Sequence, residues 1–149
     1  MNNPIKDIVA FNQKAGLLEA GYDDFLEDSF TIEESLEKHD NLLNLSSVLG
    51  HPSDSPKELS RYIVNCATTE TTPLSDLDRL DKACDKVVFA VGAMAKLGLS
   101  AQQITKALNI VMKANNQKLS MPKDEHGKLM KPDSFVGPEV ELQKLLDER

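Results

Sequence analysis

The sequence has no tryptophan, only two cysteines, and aromatic residues at just 5% of its 149 positions. Cys66 and Cys84 do not form a CxxC pair, so we expect two reduced cysteines rather than a disulfide. No glycine-rich GxxxxGK[ST] segment is present, which excludes a P-loop nucleotide site. The acidic run 76–78 lacks the glycine of a calcium-binding EF-hand loop and falls within a predicted helix, so that class is excluded as well.

Basic charge and long apolar runs are also scarce. Acidic residues outnumber basic ones by 24 to 17, and the formal net charge is -7. Nucleic acids and anionic membranes attract basic surfaces, so we expect neither as a partner. No apolar run reaches the roughly 18–20 residues that span a bilayer, and the first seven residues lack the layout of a signal peptide. The sequence therefore predicts a cytoplasmic protein.

Helix start and stop signals are frequent in the first half of the chain. After a first amphipathic segment near the N terminus, Thr31 with Glu34 forms the pattern of a capping box, and the helix it begins is predicted to stop near Gly50. A shorter helix is predicted over about 57–67. It ends in the threonine-rich stretch 68–72.

The second half contains the strongest helical patterns. Ser75 precedes the longest predicted helix, whose apolar residues recur at the spacing of a buried stripe until Gly98. Ser100 with Gln103 gives another capping box, for a helix that runs to about residue 116. No alternating pattern indicates a sheet. The sequence predicts a single all-α domain, 1–149, built as a bundle of four or five helices.

The segment at about 119–138 differs from the rest of the chain. Prolines and glycines keep it irregular, and its lysines continue a basic trend that begins at Lys113 and Lys118. It is the one basic stretch in an acidic protein.

Two acidic stripes lie on the predicted helices: Glu33, Glu34 and Glu37 on one, and Asp78, Asp81 and Asp85 on a later one. Carboxylates three or four positions apart on a helix repel one another by about 0.2–0.5 kcal/mol per pair. Such repulsion is tolerated on a solvated surface, where water screens it, or at a site where a bound cation neutralises the carboxylates. Asp81 borders the apolar face of its helix, so we expect it to be partly desolvated and able to meet carboxylates of another helix.

The same residues also have structural explanations. At the N3 position of a helix beginning at Thr31, Glu34 would serve as a capping residue and interact with the helix dipole. Asp78 would complete the cap begun by Ser75. Lysines near the end of a helix, such as Lys113, satisfy its last carbonyl groups.

The run 33–37, Glu-Glu-Ser-Leu-Glu, resembles the EExxE motif of the all-α NTP pyrophosphohydrolases, a family that includes MazG-like proteins, phosphoribosyl-ATP pyrophosphohydrolase and the dimeric dUTPases. Their second motif, ExxD, is similar to the run beginning at Asp81, but Lys82 stands where the motif has glutamate. Only Asp85 carries over directly. Asp81 is the candidate substitute for the missing glutamate, and Asp78 is the second choice.

Further similarity lies beyond these two motifs. Residues 113–119 resemble the family's Asn-x-x-Lys segment, and the runs 124–128 and 135–138 resemble the loop that follows it. The resemblance extends over about 7–146. It implies a MazG-like bundle whose core is completed by oligomerisation, as a homodimer or homotetramer.

The resemblance also implies an activity and a site. The expected reaction is hydrolysis of a nucleoside triphosphate, or a related phosphoribosyl nucleotide, between the α and β phosphates, with Mg²⁺ as cofactor and Mn²⁺ as the alternative. The implied metal ligands are Glu34, Glu37, Asp81 and Asp85, with Glu33 orienting or deprotonating the attacking water. The implied substrate-binding residues are Lys113, Asn115 and Lys118.

A second hypothesis is a non-catalytic bundle derived from this family, which binds nucleotides or a protein partner. Lys82 favours it, because a lysine replaces a motif carboxylate. The preferred base and sugar are not predicted by the sequence.

Overall fold

The computed structural model describes residues 3–67 and 73–149. These residues form an all-α protein without β-strands, as predicted. The seven helices are α1 (Pro4–Lys14), α2 (Asp24–Leu36), α3 (Leu42–Leu49), α4 (Pro56–Ala67), α5 (Asp76–Lys96), α6 (Ala101–Asn116) and α7 (Glu139–Asp147). The prediction for the threonine-rich stretch 68–72 lies outside the described residues.

The predicted start of a helix at Thr31 is wrong, because α2 already begins at Asp24. The Asp23 side chain caps this helix and accepts a hydrogen bond from the backbone N–H of Leu26 at 3.1 Å. Thr31 lies inside α2, where its hydroxyl donates to the carbonyl of Glu27 at 2.9 Å. A threonine hydroxyl can cap a helix, but inside a helix it can also donate to a carbonyl of the preceding turn. The Thr31 pattern alone therefore did not define a helix start.

A second difference is the number of helices, which is seven over residues 3–67 and 73–149 rather than the predicted four or five. The helix predicted to continue to Gly50 is interrupted after Leu36, and Asn41 begins α3 by accepting a hydrogen bond from the N–H of Asn44 at 3.2 Å. Gly50 then ends α3 in the left-handed conformation, with φ of 70°. The other additional helix, α7, follows the irregular segment.

The chain divides into two compact units, which are described separately. The first, the α6 unit, comprises Met1–Gly21 and Asp76–Arg149 and contains α1, α5, α6 and α7. Here α6 is central and contacts the other three helices. The Ser100–Gln103 capping box is confirmed at its start. The buried apolar residues of this unit are Ala15, Leu99, Ile104, Ala107, Met112, Ala114 and Leu145.

The second unit, the α2–α4 unit, comprises Tyr22–Ser75, and its main packing is α2 against α4. Leu59 is completely buried, and Leu42 and Val64 are the other buried apolar residues. Small polar residues fill much of the remaining interior, including Ser29 and Ser60. Small side chains of this kind allow close approach of two helices.

Residues 119–138 connect α6 to α7 through turns and one isolated antiparallel bridge between Lys123 and Leu129. The Asp124 carboxylate orders the turn between them by accepting hydrogen bonds from the N–H groups of His126 at 2.8 Å and Lys128 at 3.0 Å.

Over the described residues, no helix taken alone has the length and apolar character to cross a membrane. The α5–α6 pair, bent by 112°, meets that criterion by length and composition only.

Candidate functional site

The three glutamates of the first acidic stripe lie at the C-terminal end of α2. Glu33 and Glu34 are in its last turn, and Glu37 is the C-cap residue, whose N–H donates to the carbonyl of Glu33 at 3.0 Å. The expectation that Glu34 occupies position N3 is therefore wrong. Negative charge at a helix C terminus opposes the helix dipole, typically by about 0.3–1 kcal/mol per charge. Neither capping nor the dipole accounts for this stripe.

Glu33 differs from its neighbours because it is buried, with 6% of its surface exposed. Its Oε2 lies 3.8 Å from Nη1 of Arg61 on α4, and this Nη1 also donates to the carbonyl of Lys57 at 2.8 Å. Nε and Nη2 of Arg61 are buried, and the described residues provide them with no hydrogen-bond acceptor. Glu33 and Arg61 thus form an ion pair within the α2–α4 packing, at a separation longer than that of a hydrogen bond.

Glu34 and Glu37 are exposed at the same end of α2. Their carboxylates are open to the solvent, and oxygen ligands of this kind suit Mg²⁺, which commonly binds one or two protein carboxylates and keeps several waters. Two glutamates are only part of a ligand set. Across the two described stretches of chain, no group of three or more His, Cys, Asp or Glu side chains is arranged to hold a metal ion.

Asp81 and Asp85 belong to the α6 unit, where both are exposed on α5. The expectation that Asp81 is partly desolvated beside a buried stripe is wrong, because none of the 21 residues of α5, all of them described, is buried. Residue spacing predicts which face of a helix is apolar, but it does not tell whether another element covers that face. Asp78 is exposed as well, and Lys82 is half-buried.

The predicted substrate-binding residues lie toward the C-terminal end of α6. Nζ of Lys118 donates to Oδ1 of Asn115 at 2.8 Å, so the structure brings these two side chains together. Lys113 instead pairs with Glu141 on α7, with 2.7 Å between Nζ and Oε1. The interaction with α7 was not predicted, because the sequence patterns did not identify that helix.

Two adjoining grooves lie between α6 and the C-terminal segment, and both are lined by Lys113 and Glu141. The larger, of about 600 Å³, also includes Lys106 and Lys144 in its lining. The smaller, of about 260 Å³, extends along α6 to Gln117. The lining of the larger groove contains three lysines and two glutamates, Glu141 and Glu148, and the lysines offer mobile positive charges to an anionic ligand.

An aromatic ring lies near the same end of α6. The ring of Phe135 has the ammonium groups of Lys118 and Lys131 at 5.3 Å and 5.1 Å from its centroid, which is the distance of a cation–π interaction. Sequence reasoning placed Lys118 in the site but gave Phe135 no role. The signal is present in the run 135–138, which resembles a family loop.

No protein-family model, curated protein or solved structure matches this chain. The class that the fold itself defines is an all-α protein with seven helices among the described residues. The resemblance to the NTP pyrophosphohydrolases stays a prediction from its motifs.

Proposed function

We propose that this protein is a Mg²⁺-dependent nucleotide pyrophosphohydrolase that cleaves a nucleoside triphosphate, or a related phosphoribosyl nucleotide, between the α and β phosphates. The products are the monophosphate and pyrophosphate. In this proposal the protein is cytoplasmic, acts as a homo-oligomer and has the MazG-like bundle as its finer fold class.

The observation that carries the proposal is the position of Glu33, Glu34 and Glu37 at the C-terminal end of α2. Three carboxylates are unfavourable there, because the helix dipole and their mutual repulsion both oppose them. The last turn of α2 itself contains no basic residue, although Arg61 of α4 lies beside Glu33. A bound divalent cation would reduce both the unfavourable dipole interaction and the mutual repulsion.

The carboxylates divide into two roles in this proposal. Glu34 and Glu37 bind the ion together with Asp81 and Asp85, whether these four side chains come from one chain or from neighbouring copies. Glu33 is held by Arg61 and orients or deprotonates the attacking water. These residues would hold Mg²⁺, or Mn²⁺ in its place, whose positive charge would offset the negative charge of the phosphates.

The basic end of α6 is the proposed phosphate-binding region. Lys118 and Asn115 already share a hydrogen bond, so their polar groups point to one place. Lys113 lines the groove of about 600 Å³ and would exchange its surface ion pair with Glu141 for a phosphate oxygen. Such an exchange costs little, because an exposed ion pair contributes only about 0–1 kcal/mol.

Product analysis tests the proposed reaction. The protein is incubated with ribonucleoside, deoxyribonucleoside and modified triphosphates, with and without Mg²⁺, and pyrophosphate and phosphate are measured separately. We expect equal amounts of monophosphate and pyrophosphate, formed only when Mg²⁺ is present. Release of phosphate without pyrophosphate would refute the proposed bond cleavage.

A non-catalytic bundle that binds nucleotides or a protein is the second candidate, and Lys82 favours it, because its ammonium group stands at a motif carboxylate position. The two candidates differ in metal affinity. Calorimetric titration with Mg²⁺ should show a saturable site for the hydrolase, and a chain that binds nucleotide without binding the metal would favour the second candidate.

A further inference from the structure

The C-terminal end of α6 and the segment before α7 place two lysines beside one aromatic ring. Nζ of Lys118 lies 5.3 Å from the centroid of the Phe135 ring, and Nζ of Lys131 lies 5.1 Å from it. The two ammonium groups are therefore at most about 10 Å apart, each at the distance of a cation–π interaction. Nζ of Lys118 also donates to Oδ1 of Asn115 at 2.8 Å. We call these four residues the Phe135 cluster.

The backbone around the cluster is held by hydrogen bonds. The side chain of Gln117 bonds to both backbone polar groups of Val136, which attaches the segment to α6. The N–H of Phe135 donates to the carbonyl of Pro132 at 3.0 Å, and the turn that this bond closes follows directly after Lys131. The cluster is therefore formed by the fold itself, and such preorganisation lowers the cost of binding a ligand.

The ammonium group of Lys131 is open to a ligand. Lys131 is exposed, whereas the other three residues of the cluster are half-buried. Within the described residues, the interaction of Lys131 is with the ring of Phe135 rather than with a carboxylate. Lys113, by contrast, must leave Glu141 before it can bind a phosphate oxygen. An anion that binds Lys131 does not have to displace a carboxylate.

We propose that Lys131 is a further substrate-binding residue, which binds the phosphate chain of the nucleotide together with Lys118, and that Phe135 positions the two ammonium groups. Each ammonium group acts as a point charge, so a pair of them suits an anion whose charge is spread along a chain. Diphosphate and triphosphate groups have this character. A bound chain also offsets the repulsion between the two like charges. The inference rests on the proposed function, because it takes the ligand to be the phosphate chain of that substrate.

The first test uses inorganic tripolyphosphate, which contains the phosphate chain without a base or a sugar. It is titrated into the full chain by calorimetry in the presence of a chelator, so that binding does not involve the proposed metal site. The wild type should bind tripolyphosphate. Lys131→Ala should raise the dissociation constant by about tenfold, because a charge-assisted contact with phosphate is lost.

Lys96→Ala is the matched control. Lys96 is also an exposed lysine, so its substitution changes the net charge by the same amount. It is the last residue of α5 and lies close in sequence to the start of α6, whereas the Phe135 cluster lies at the other end of α6. A helix of 16 residues such as α6 spans about 24 Å. The dissociation constant of this variant should change by less than about twofold, and circular dichroism checks that both variants keep their helix content.

Two variants of Phe135 test its role as a positioning residue. Phe135→Leu keeps an apolar side chain but removes the aromatic ring, so the dissociation constant for tripolyphosphate should rise by at least about threefold. Phe135→Tyr keeps a ring with the same kind of face and should bind within about twofold of the wild type.

Failure of this inference is distinguishable from failure of the proposed function. Binding of tripolyphosphate that depends on Lys131, in a protein that hydrolyses no nucleotide, would support the site and refute the reaction. Turnover that requires Mg²⁺, with the same KM in Lys131→Ala as in the wild type, would support the reaction and refute the site.

Three binding results would overturn the inference. No binding of tripolyphosphate by the wild type would show that the cluster does not hold a phosphate chain. Equal weakening by Lys131→Ala and Lys96→Ala would indicate an effect of net charge alone. If Phe135→Leu weakened binding of a nucleoside triphosphate but not of tripolyphosphate, the ring would contact the base instead.

Discussion

The side chain of Gln117, next to the end of α6, forms two hydrogen bonds with the backbone of Val136. Its Nε2 donates to the carbonyl at 2.8 Å, and its Oε1 accepts from the N–H at 3.0 Å. One amide side chain thus satisfies both polar groups of a residue in the segment before α7. This pairing fixes the segment that contains Phe135, whose ring lies beside Lys118.

We predict that Gln117→Ala loosens this segment. Loss of two hydrogen bonds, each contributing about 0.5–1.5 kcal/mol, should lower the free energy of unfolding by about 1–2 kcal/mol. Amide exchange at Val136 should accelerate. Urea unfolding and hydrogen exchange measure the two effects, and Gln102→Ala on the exposed side of α6 is the control. Unchanged exchange at Val136 would mean that the bonds do not order the segment in solution.

A second prediction concerns Glu33 and Arg61. Arg61→Leu should destabilise the protein by about 3 kcal/mol, because it leaves the buried carboxylate of Glu33 without its nearby guanidinium. The double variant with Glu33→Leu should lose much less than the sum of the single losses. A double-mutant cycle from urea unfolding measures the coupling. Strictly additive losses would show that the two side chains do not interact.

A third prediction follows from the surroundings of Tyr62 on α4. Its hydrogen bond with Cys66 raises the pKa of Tyr62 above its ordinary value, and the charge of the Cys66 thiolate and partial desolvation act in the same direction. The folded state therefore holds this proton more tightly than the unfolded chain does. The resulting stabilisation is complete below about pH 10 and is lost as the pH rises through the folded pKa.

Absorbance at 295 nm as a function of pH measures this ionisation. In the wild type the pKa of Tyr62 should lie above the ordinary value of a tyrosine, and Cys66→Ala should lower it toward that value. Cys84→Ala is the control, because Cys84 belongs to the α6 unit. An unchanged titration in Cys66→Ala would exclude Cys66 as the main cause.

The fourth prediction tests the acidic stripes. Glu37→Gln should abolish turnover with unchanged helix content, because an amide is a much weaker ligand for a hard cation than a carboxylate. Glu27→Gln, an exposed position in the first turn of the same helix, should leave turnover unchanged. Near-normal activity of Glu37→Gln would remove this residue from the mechanism.

The same assay distinguishes the aspartates of α5. Asp81→Asn should reduce turnover at least about tenfold, equivalent to about 1.4 kcal/mol in the barrier, and Asp78→Asn should have a smaller effect. An equal loss of turnover in Asp78→Asn would indicate that the metal ligand on α5 is Asp78, one turn before Asp81.

The helices α5 and α6 were predictable because their start and stop signals are local. The Ser100–Gln103 capping box forms as expected, with bonds of 2.9 Å and 3.3 Å, and Gly98 follows α5 with φ of 88°. These features depend on residues within one turn of each other. The start of α2 was missed because the Thr31–Glu34 pattern matches a capping box, whereas the residue that caps this helix is Asp23.

The environment of the site residues was less predictable, because it depends on packing between helices. Nothing near Glu33 in the sequence indicates that it is buried beside Arg61, since α2 and α4 must first pack together. The pairing of Lys113 with Glu141 likewise depends on where α7 lies against α6. The periodicity of the apolar residues on α5 was predicted correctly, but the prediction that this stripe is buried is wrong.

In the proposed function, carboxylates from α2 and α5 bind one divalent cation, and paramagnetic broadening by Mn²⁺ tests this most directly. The backbone amide signals of the protein are recorded while Mn²⁺ is added at substoichiometric amounts. We predict that signals near Glu34 and Glu37 and signals near Asp81 and Asp85 broaden together, and that excess Mg²⁺ restores both sets. Broadening confined to one of these helices, or no broadening of either, would contradict a site shared by the two helices.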